Sequence, residues 1–435
     1  MSIRRDIGLA TRVVGDLIHS RRQQAEVARR SRSHPLPPPG SVKIAVYFAD
    51  ADVNMYQLRQ WYGPLADLAS TWSIAIIARS AGTALALWDE APVPAHYLRT
   101  VVDLERFVHE QQINIVFYVN QNTRNFQMFR YGRMWHVFIN HGESDKVYMT
   151  TNQFKAYDYS FIAGEAAFER LSHKLWDYDL ANRAIMIGRP QADHLGGELP
   201  FAPDDRTVIL YAPTWEGDRA GATYGSVVTH GVALVSALLA TGLHRVIYRP
   251  HPRSGVVDPE YKAANLSIIA AIARANALDP GAEHVFDDSP QLDWQLSAAD
   301  VAVTDISAMV YDRLATGKPL IITRPSGEAA EIDETGYLGA AEWLTADDAS
   351  GIVAIIERVQ VDEEARRRLQ FWVERHFGDT SPGSATRRFR HATARLMERW
   401  EEHRAIHDGD ADDDDDGDFD DDSLDDSEGD STEER

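Results

Sequence analysis

The sequence contains no cysteine, which excludes a disulfide-stabilised scaffold, a cysteine nucleophile and a zinc site built on thiolates. No apolar run approaches the roughly 18 residues that indicate a membrane-spanning helix. The first residues alternate between apolar and charged side chains, so no secretory signal is indicated. Neither a Walker pattern nor a strongly basic body is found. We therefore expect neither a P-loop nucleotide site nor a nucleic-acid partner.

The net charge of −23 is concentrated at the C-terminus. Residues 408–435 hold 14 Asp and three Glu against one Arg, and they have too few apolar side chains to form a core. Residues 1–40 have the opposite character, with eight Arg against two Asp and one Glu. The charge pattern predicts a globular body between a basic N-terminal segment and a disordered acidic tail.

Apolar residues recur at helical spacing near the N-terminus, and arginines flank them. The stripe consists of Ile3, Ile7, Ala10, Val13, Val14, Leu17 and Ile18. Two interpretations remain open. The segment is either an amphipathic helix on an anionic membrane surface or an ordinary helix that packs on the body or on another subunit. Four prolines within residues 33–40 predict a stiff linker before the body begins.

Short apolar runs alternate with helical patterns in two successive blocks, which is typical of α/β domains with parallel sheets. The strands predicted in the first block are Val42–Phe48, Trp72–Ala78, Ile113–Val119, Val137–Asn140, Tyr159–Ala163 and Ala184–Ile187. Those of the second block are Thr207–Tyr211, Arg245–Tyr248, His284–Phe286, Val301–Thr304 and Pro319–Thr323. The stretch Tyr56–Ala69 is predicted as one helix. The fold class is therefore α/β, with two Rossmann-like domains.

The domain boundaries follow from changes in composition. We predict a basic helix and linker (1–40), an N-terminal α/β domain (41–188), a C-terminal α/β domain (205–345), C-terminal helices (346–407) and the acidic tail (408–435). The segment between the two α/β domains is rich in Gly, Pro and Asp. Since ligands of open parallel sheets bind beyond the carboxyl ends of the strands, we expect the site in a cleft between the domains.

Two candidate clusters that follow predicted strands carry hydroxyl or imidazole groups. His141 follows a predicted strand and could act as a general base, with Gly142 allowing close approach of a ligand and Lys146 contacting phosphate. The plain alternative is a polar turn with a hydrogen-bonded histidine. Thr214 and Trp215 follow the first strand of the second block, where core packing of the tryptophan is the simpler interpretation.

Two further clusters carry cations and a helix start. Arg249, His251 and Arg253 alternate with two prolines that stiffen their loop, and arginine suits bidentate contact with phosphate. The segment from Thr304 to Asp312 ends a strand and begins a helix. Its candidates for phosphate binding are Thr304, Asp305, Ser307 and Asp312. Ordinary helix capping by Asp305 or Ser307 is the alternative.

Together these groups suit the transfer of a phosphate-bearing group, because phosphoryl charge needs positioned donors and an attacking hydroxyl needs a base. We predict His141 and His251 as catalytic residues. We expect side chains and a helix start to hold the donor phosphates, without a cofactor or a bound metal.

The motifs HGESDK (141–146), YAPTW (211–215), RPHP (249–252) and TDISAMVYD (304–312) occur in this order. With them the chain resembles the CDP-glycerol glycerophosphotransferase family of teichoic-acid synthesis over roughly residues 41–400. The resemblance implies a GT-B-like fold and transfer of glycerol phosphate from CDP-glycerol, or a similar CDP-alcohol, to a hydroxyl of a lipid-linked polyol-phosphate acceptor, with release of CMP. It also implies a cytoplasmic location or one on the inner face of the plasma membrane.

Carried over to this chain, the resemblance implies that the N-terminal α/β domain (41–188) binds the acceptor and the C-terminal one (205–345) the nucleotide donor. It also implies that His141 is the base and that His251 and Arg249 contact the donor phosphates. Ser307 and Asp312 match the donor-binding segment. The loop after Gly142 is acidic where family members commonly have a small residue followed by proline, and Ala308 replaces a second serine. These departures leave the choice of acceptor and of polyol open.

Two other functions remain alternatives. One is a glycosyltransferase or UDP-sugar epimerase of the same architecture, which also needs a phosphate-binding helix start. The other is a non-catalytic nucleotide-binding assembly protein, against which the presence of both His141 and His251 argues.

Overall fold

The computed structural model describes residues 19–142, 151–217, 223–289, 292–327 and 330–407. The N-terminal apolar stripe, Lys146 with its acidic neighbours, and the C-terminal tail lie outside these ranges. The described chain begins with a helix, α1, over residues 19–30. None of the helices within these ranges combines the length and the apolar character needed to cross a bilayer.

The first domain is built on seven parallel strands in the order β3-β2-β1-β4-β5-β6-β7. The strands are β1 (Ile44–Phe48), β2 (Ile74–Ala78), β3 (Ala95–Tyr97), β4 (Ile115–Tyr118), β5 (Trp135–Phe138), β6 (Tyr159–Ile162) and β7 (Ala184–Met186). The helices are α2 (Met55–Arg59), α3 (Tyr62–Leu68), α4 (Ala81–Glu90), α5 (Val101–Gln111), α6 (Glu165–Lys174) and α7 (Leu180–Arg183). Alternate residues of β1 enter cores on opposite faces of the sheet, which gives three layers.

The second domain repeats this plan with six parallel strands in the order β10-β9-β8-β11-β12-β13. The strands are β8 (Thr207–Ala212), β9 (His244–Tyr248), β10 (Val285–Phe286), β11 (Val301–Thr304), β12 (Leu320–Thr323) and β13 (Glu342–Leu344). The helices that follow are α8 (Val232–Leu239), α9 (Pro259–Leu278), α10 (Trp294–Ala298), α11 (Ala308–Leu314), α12 (Ile352–Val361), α13 (Glu363–Phe377) and α14 (Ser384–His407). The predicted class, two parallel-sheet α/β domains, is confirmed.

The C-terminal helices divide between the two domains. Helices α12 and α13 pack on the second domain, whereas Phe389 of α14 enters the core of the first. Its ring lies 5.3 Å from that of Trp61 and 5.7 Å from that of Phe117 between centroids. The start of α14 also braces the interdomain linker, since the Asp193 carboxylate accepts from the backbone N–H of Thr386 at 2.7 Å. The C-terminal helices α12–α14 therefore contact both domains and the linker.

The helix predicted over Tyr56–Ala69 is divided into α2 and α3, which corrects the prediction. Pro64 explains the break, because proline has no N–H to donate to the carbonyl of Gln60 and its ring clashes with that carbonyl. The chain restarts a helix two residues before Pro64, which places the proline in the first turn where no N–H is needed. The strands β3 and β13 were not predicted, and each has only three residues at a sheet edge.

Candidate functional site

The turn that carries His141 follows β5 at the carboxyl edge of the first sheet. Asn140 adopts a left-handed backbone conformation with φ of 56°, which asparagine tolerates better than most residues. Its side chain accepts from the His141 N–H at 2.8 Å and donates to the Gly142 carbonyl at 2.6 Å. The indole N–H of Trp61 donates to the Asn140 carbonyl. The local sequence therefore fixes where the imidazole leaves the backbone.

The imidazole of His141 is held in one tautomer. Its Nδ1 lies 2.9 Å from the carbonyl oxygen of Val119, and because a carbonyl only accepts, Nδ1 carries the proton. Nε2 is then the nitrogen whose lone pair can take a proton. Burial lowers the pKa of His141 and the nearby Arg189 adds to this, while Val119 and Asp312 oppose the shift. The ring is therefore neutral at pH 7, as a general base must be.

A charged pair links the two domains beside this histidine. Arg189 of the linker donates to Asp312 of α11 at 2.5 Å and also to the side-chain oxygen of Gln60, which follows α2, at 3.3 Å. Burial raises the pKa of Asp312, and the charges of Arg189 and His141 oppose that rise. The contacts thus place a carboxylate from the second domain in the electrostatic surroundings of the imidazole of the first.

A cavity of about 380 Å³ opens at this junction, between the two domains and the linker. Tyr56 stands at its first-domain wall, with its ring perpendicular to that of His141 and the centroids 6.1 Å apart. The cavity is lined by Tyr56, Arg59, Gln60, Tyr62, Gly63, Arg189, Gln191, Ala192, His194, Leu195, Leu292, Asp293, Leu296 and Asp312. This part of the cleft gives a ligand room next to Arg189 and Asp312.

A polar network under the first-domain wall was missed by the sequence analysis. The buried amide of Asn120 donates to the carboxylate of Asp50 at 3.2 Å and to the side-chain oxygen of Gln57 at 2.7 Å. Asp50 lies two residues after the end of β1, and an acidic side chain at this strand end is the signal that could have found the network. Since Asn120 follows Val119, the network fixes the segment that holds the His141 ring.

His251 has the opposite tautomer. Its Nδ1 lies 3.1 Å from the backbone nitrogen of Arg253, which can only donate, so the proton of the neutral ring is on Nε2. Burial lowers the pKa of His251, and the charge of Arg253 adds to this while Glu216 opposes it. Nε2 of His141 can therefore accept a proton, whereas the Nε2–H of His251 can donate a hydrogen bond.

The side chains around His251 form a fixed loop. The guanidinium of Arg253 lies 3.9 Å from the ring centroid of Trp215, whose ring is 6.5 Å from that of His251. The nearly buried carboxylate of Glu216 accepts from the backbone N–H groups of Gly255, Val257 and Asp258 at 2.8–3.1 Å. Sequence reasoning did not single out Glu216, because an acidic residue in a polar loop carries no pattern of its own.

Arg249, predicted to contact phosphate, is engaged within its own domain. One guanidinium nitrogen pairs with the buried carboxylate of Asp287 and also donates to the hydroxyl of Ser289 at 3.2 Å. Burial alone would raise the pKa of Asp287, but hydrogen bonds and the Arg249 charge hold it below its usual value. A phosphate at this position would therefore share Arg249 with a carboxylate.

Thr304 and Asp305 are completely buried, so in this conformation they do not touch a ligand in the cleft. The Asp305 carboxylate accepts from the backbone N–H groups of Thr214 at 2.7 Å and Ser226 at 3.1 Å, and from the hydroxyl of Thr323 at 2.5 Å. Asp305 therefore affects the predicted site indirectly, because its carboxylate positions Thr214.

Two predicted residues have simpler local roles. Ser307 caps α11, with its hydroxyl accepting from the Met309 N–H at 3.3 Å. A Cβ added to Gly142 would meet open space, so the fold itself does not require glycine there. Within the described ranges no hydrogen bond or ring contact joins His141 to His251, and no group of three or more His, Asp or Glu side chains is placed to hold a metal. The two histidines lie at the carboxyl edges of different sheets.

The fold is shared with several solved structures. The wall teichoic acid polymerase TagF is 14% identical with a TM-score of 0.52, over 91% of this chain and 97% of that one. A putative UDP-N-acetylglucosamine 2-epimerase from Listeria monocytogenes is 13% identical with a TM-score of 0.53, over 83% of this chain and 97% of that one. The UDP complex of S. aureus MnaA is 12% identical with a TM-score of 0.51, over 82% of this chain and 97% of that one. At these identities the likeness shows the fold alone.

Comparison of the sequence with protein families gives a more specific result than the fold. No curated protein matches the sequence. The family model described as CDP-Glycerol:Poly(glycerophosphate) glycerophosphotransferase matches residues 152–390, which is more than half of the chain and includes the linker, the second domain and the start of α14. The chain belongs to the CDP-glycerol glycerophosphotransferase family.

Proposed function

We propose that the protein transfers glycerol phosphate, or a similar polyol phosphate, from CDP-glycerol or another CDP-alcohol to a hydroxyl of a lipid-linked polyol-phosphate acceptor, with release of CMP. The observation that carries the proposal is the pair of opposite tautomers. His141 of the first domain offers a proton-accepting Nε2, and His251 of the second offers a donating Nε2–H. A transfer between hydroxyl and phosphate needs one group of each kind.

In the proposed reaction the acceptor hydroxyl gives its proton to Nε2 of His141 as its oxygen attacks the β-phosphorus of the donor. The bond from that phosphorus to the oxygen of the CMP group breaks, and CMP leaves with the electron pair. The imidazolium that forms at His141 is favoured by the carboxylate of Asp312. His251, Arg253, Ser307 and Thr214 stabilise the phosphates. Arg249 also contributes, sharing its charge between the phosphates and Asp287.

The lipid-linked acceptor places the reaction at the inner face of the plasma membrane, and the basic N-terminal segment is the part of the chain that we propose to contact an anionic membrane surface. A sedimentation assay with anionic vesicles tests this. Removal of residues 1–40 is expected to abolish co-sedimentation. Unchanged co-sedimentation would mean that this segment only packs against protein.

Donor choice tests the proposed activity directly. The purified protein is incubated with CDP-glycerol, CDP-ribitol, UDP-glucose and UDP-N-acetylglucosamine, each with a lipid-linked polyol-phosphate acceptor, and released nucleotide is quantified. We expect acceptor-dependent release of CMP from a CDP-alcohol and no release of UDP. The preferred donor should also raise the midpoint of thermal unfolding, because it binds the folded state alone. Release of UDP, or UDP-sugar stabilisation, would favour a glycosyltransferase or epimerase instead.

Two substitutions of His251 separate its hydrogen-bonding atoms. In His251→Gln the amide N–H₂ replaces the Nε2–H donor, whereas in His251→Asn the amide oxygen keeps the acceptor for the Arg253 N–H and the outer donor is lost. A hydrogen bond to a charged group contributes about 1.5–3 kcal/mol, so we expect His251→Asn to lose roughly 10- to 100-fold in kcat/KM for the donor. His251→Gln should retain more activity. Steady-state kinetics at varied CDP-glycerol concentration measure kcat/KM for both variants. A lower kcat/KM in His251→Gln than in His251→Asn would contradict the proposed role of His251.

A further inference from the structure

Tyr56 is the aromatic residue at the first-domain wall of the interdomain cavity. Its side chain is 49% exposed although it touches the site, and its ring stands edge-on against that of His141 with an interplanar angle of 90°. Arg189 and Asp312 line the same cavity. Tyr56 therefore connects the lining of the cavity to His141, which contacts the Tyr56 ring but does not itself line the cavity.

The hydroxyl of Tyr56 is oriented for donation. The side-chain nitrogen of Gln57 donates to it at 3.2 Å, and the oxygen of Gln57 is itself fixed by the amide of Asn120 at 2.7 Å. The phenolic oxygen thus already accepts a hydrogen bond, and the described residues provide no acceptor for its proton. Tyr62 lines the same cavity, but its hydroxyl donates to the carboxylate of Glu90 at 2.9 Å.

The cavity offers groups suited to a polyol phosphate. Amides of Gln60 and Gln191 can exchange hydrogen bonds with hydroxyls, and a phenol can donate to a hydroxyl or a phosphate oxygen. Arg189 provides a cation that a phosphate would share with the carboxylate of Asp312. An apolar ligand would leave several of these groups without a hydrogen-bond partner.

We propose that Tyr56 binds the acceptor, its hydroxyl donating to an oxygen of the polyol phosphate chain in the cavity while its ring edge limits the movement of the His141 imidazole. The inference rests on the proposed function and assigns the side of the cavity that the acceptor uses. Tyr56 thereby sets the distance between the attacking hydroxyl and Nε2 of His141.

The kinetic test removes only the hydroxyl. Tyr56→Phe is expected to raise the KM for the acceptor about tenfold, with kcat and the KM for CDP-glycerol nearly unchanged, because one hydrogen bond to the acceptor is lost. Tyr56→Leu, which also removes the ring edge, should lower kcat as well. Tyr178→Phe is the control, since that hydroxyl faces the carbonyl of Phe154 away from the cavity. An unchanged acceptor KM in Tyr56→Phe, or a change confined to the donor KM, would overturn the inference.

A binding measurement keeps this test independent of turnover. The probe is a soluble trimer of glycerol phosphate, titrated calorimetrically into His141→Ala and into the double variant His141→Ala with Tyr56→Phe. Weaker binding by the double variant supports the inference, and equal binding, or no binding by His141→Ala, overturns it. If the wild type releases no CMP from any CDP-alcohol, the proposed function fails, while the titration still decides the role of Tyr56.

Discussion

Replacing His141 by alanine is expected to lower kcat by about 10²- to 10⁴-fold, the usual contribution of a general base. The affinity for CDP-glycerol should change little, because the predicted donor groups lie in the second domain. Single-turnover release of CMP measures the chemical step, and calorimetric titration with CDP-glycerol measures donor binding. His173→Ala removes an exposed histidine on α6 and is the matched control. Full activity in His141→Ala would remove this residue from the mechanism.

The pH dependence of the wild type provides a second readout of the same residue. Because burial and Arg189 lower the pKa of His141, the ring loses its proton below the usual histidine value of about 6.5. The acidic limb of the kcat/KM profile, which reports the free enzyme, should therefore lie below pH 6.5, with a plateau through neutral pH. Glu143, Asp145 and Lys146 adjoin this histidine in the sequence, so the profile of His141→Ala is the reference for their titration. A midpoint well above 6.5 would contradict a buried neutral base.

Replacing Asp305 by alanine is expected to have the largest effect on stability. The change leaves the N–H groups of Thr214 and Ser226 without their acceptor, and it leaves the hydroxyl of Thr323 only the carbonyl of Thr304 at 3.5 Å. Each of the two unsatisfied N–H groups costs about 1–3 kcal/mol, so we expect a loss of roughly 2–6 kcal/mol in the free energy of unfolding. Urea denaturation followed by circular dichroism measures this loss.

Asparagine at position 305 is the informative comparison. Its Oδ1 can accept from both backbone N–H groups and its Nδ2 can donate to the Thr323 hydroxyl, so most of the stability lost in Asp305→Ala should be retained. Equal losses in Asp305→Asn and Asp305→Ala would contradict the idea that hydrogen bonding, and not charge or shape, explains why this carboxylate is buried.

The two side chains should also differ in pH dependence. Burial raises the pKa of Asp305 from 3.8 to about 6, so the folded state holds this proton more tightly than the unfolded state does. Between about pH 4 and 6 the wild type therefore loses stability relative to Asp305→Asn as the pH rises, by about 3 kcal/mol in total. Unfolding free energies of both proteins at pH 4.5 and 7.5 measure the difference. A constant difference would mean that the Asp305 carboxyl titrates normally.

The predicted strands agree with the structure because a strand buried on both faces of a parallel sheet must be apolar throughout. Val301–Thr304 has the predicted bounds, and the other predicted strands overlap the observed ones closely. The helix prediction over Tyr56–Ala69 failed at one point, where helical periodicity continued through Pro64 although the backbone could not. Periodicity reports which side chains face a core, and it does not report where a backbone hydrogen bond is missing.

The sequence could also place the four motifs at strand ends, because polar residues after an apolar run mark the carboxyl edge of a sheet. It could not separate residues that face the cleft from residues that support them. Asp305 and Ser307 belong to one motif, but the first is buried under the loop of Thr214 while the second caps a helix. Glu216 supports the His251 loop by accepting from its backbone N–H groups, but no sequence motif identifies this residue.

The sequence by itself determined two α/β domains, the family, and the strand ends that carry the candidate groups, since these depend on local apolar runs and on the order of short motifs. Only the tertiary structure decided which nitrogen of each histidine bears the proton, that Arg189 pairs with Asp312 across the domains, and that α14 returns to the first domain. Except for the His251 tautomer, which a contact two residues away in the same loop decides, each of these depends on a contact between residues far apart in the chain. The side chains alone allow many such pairings.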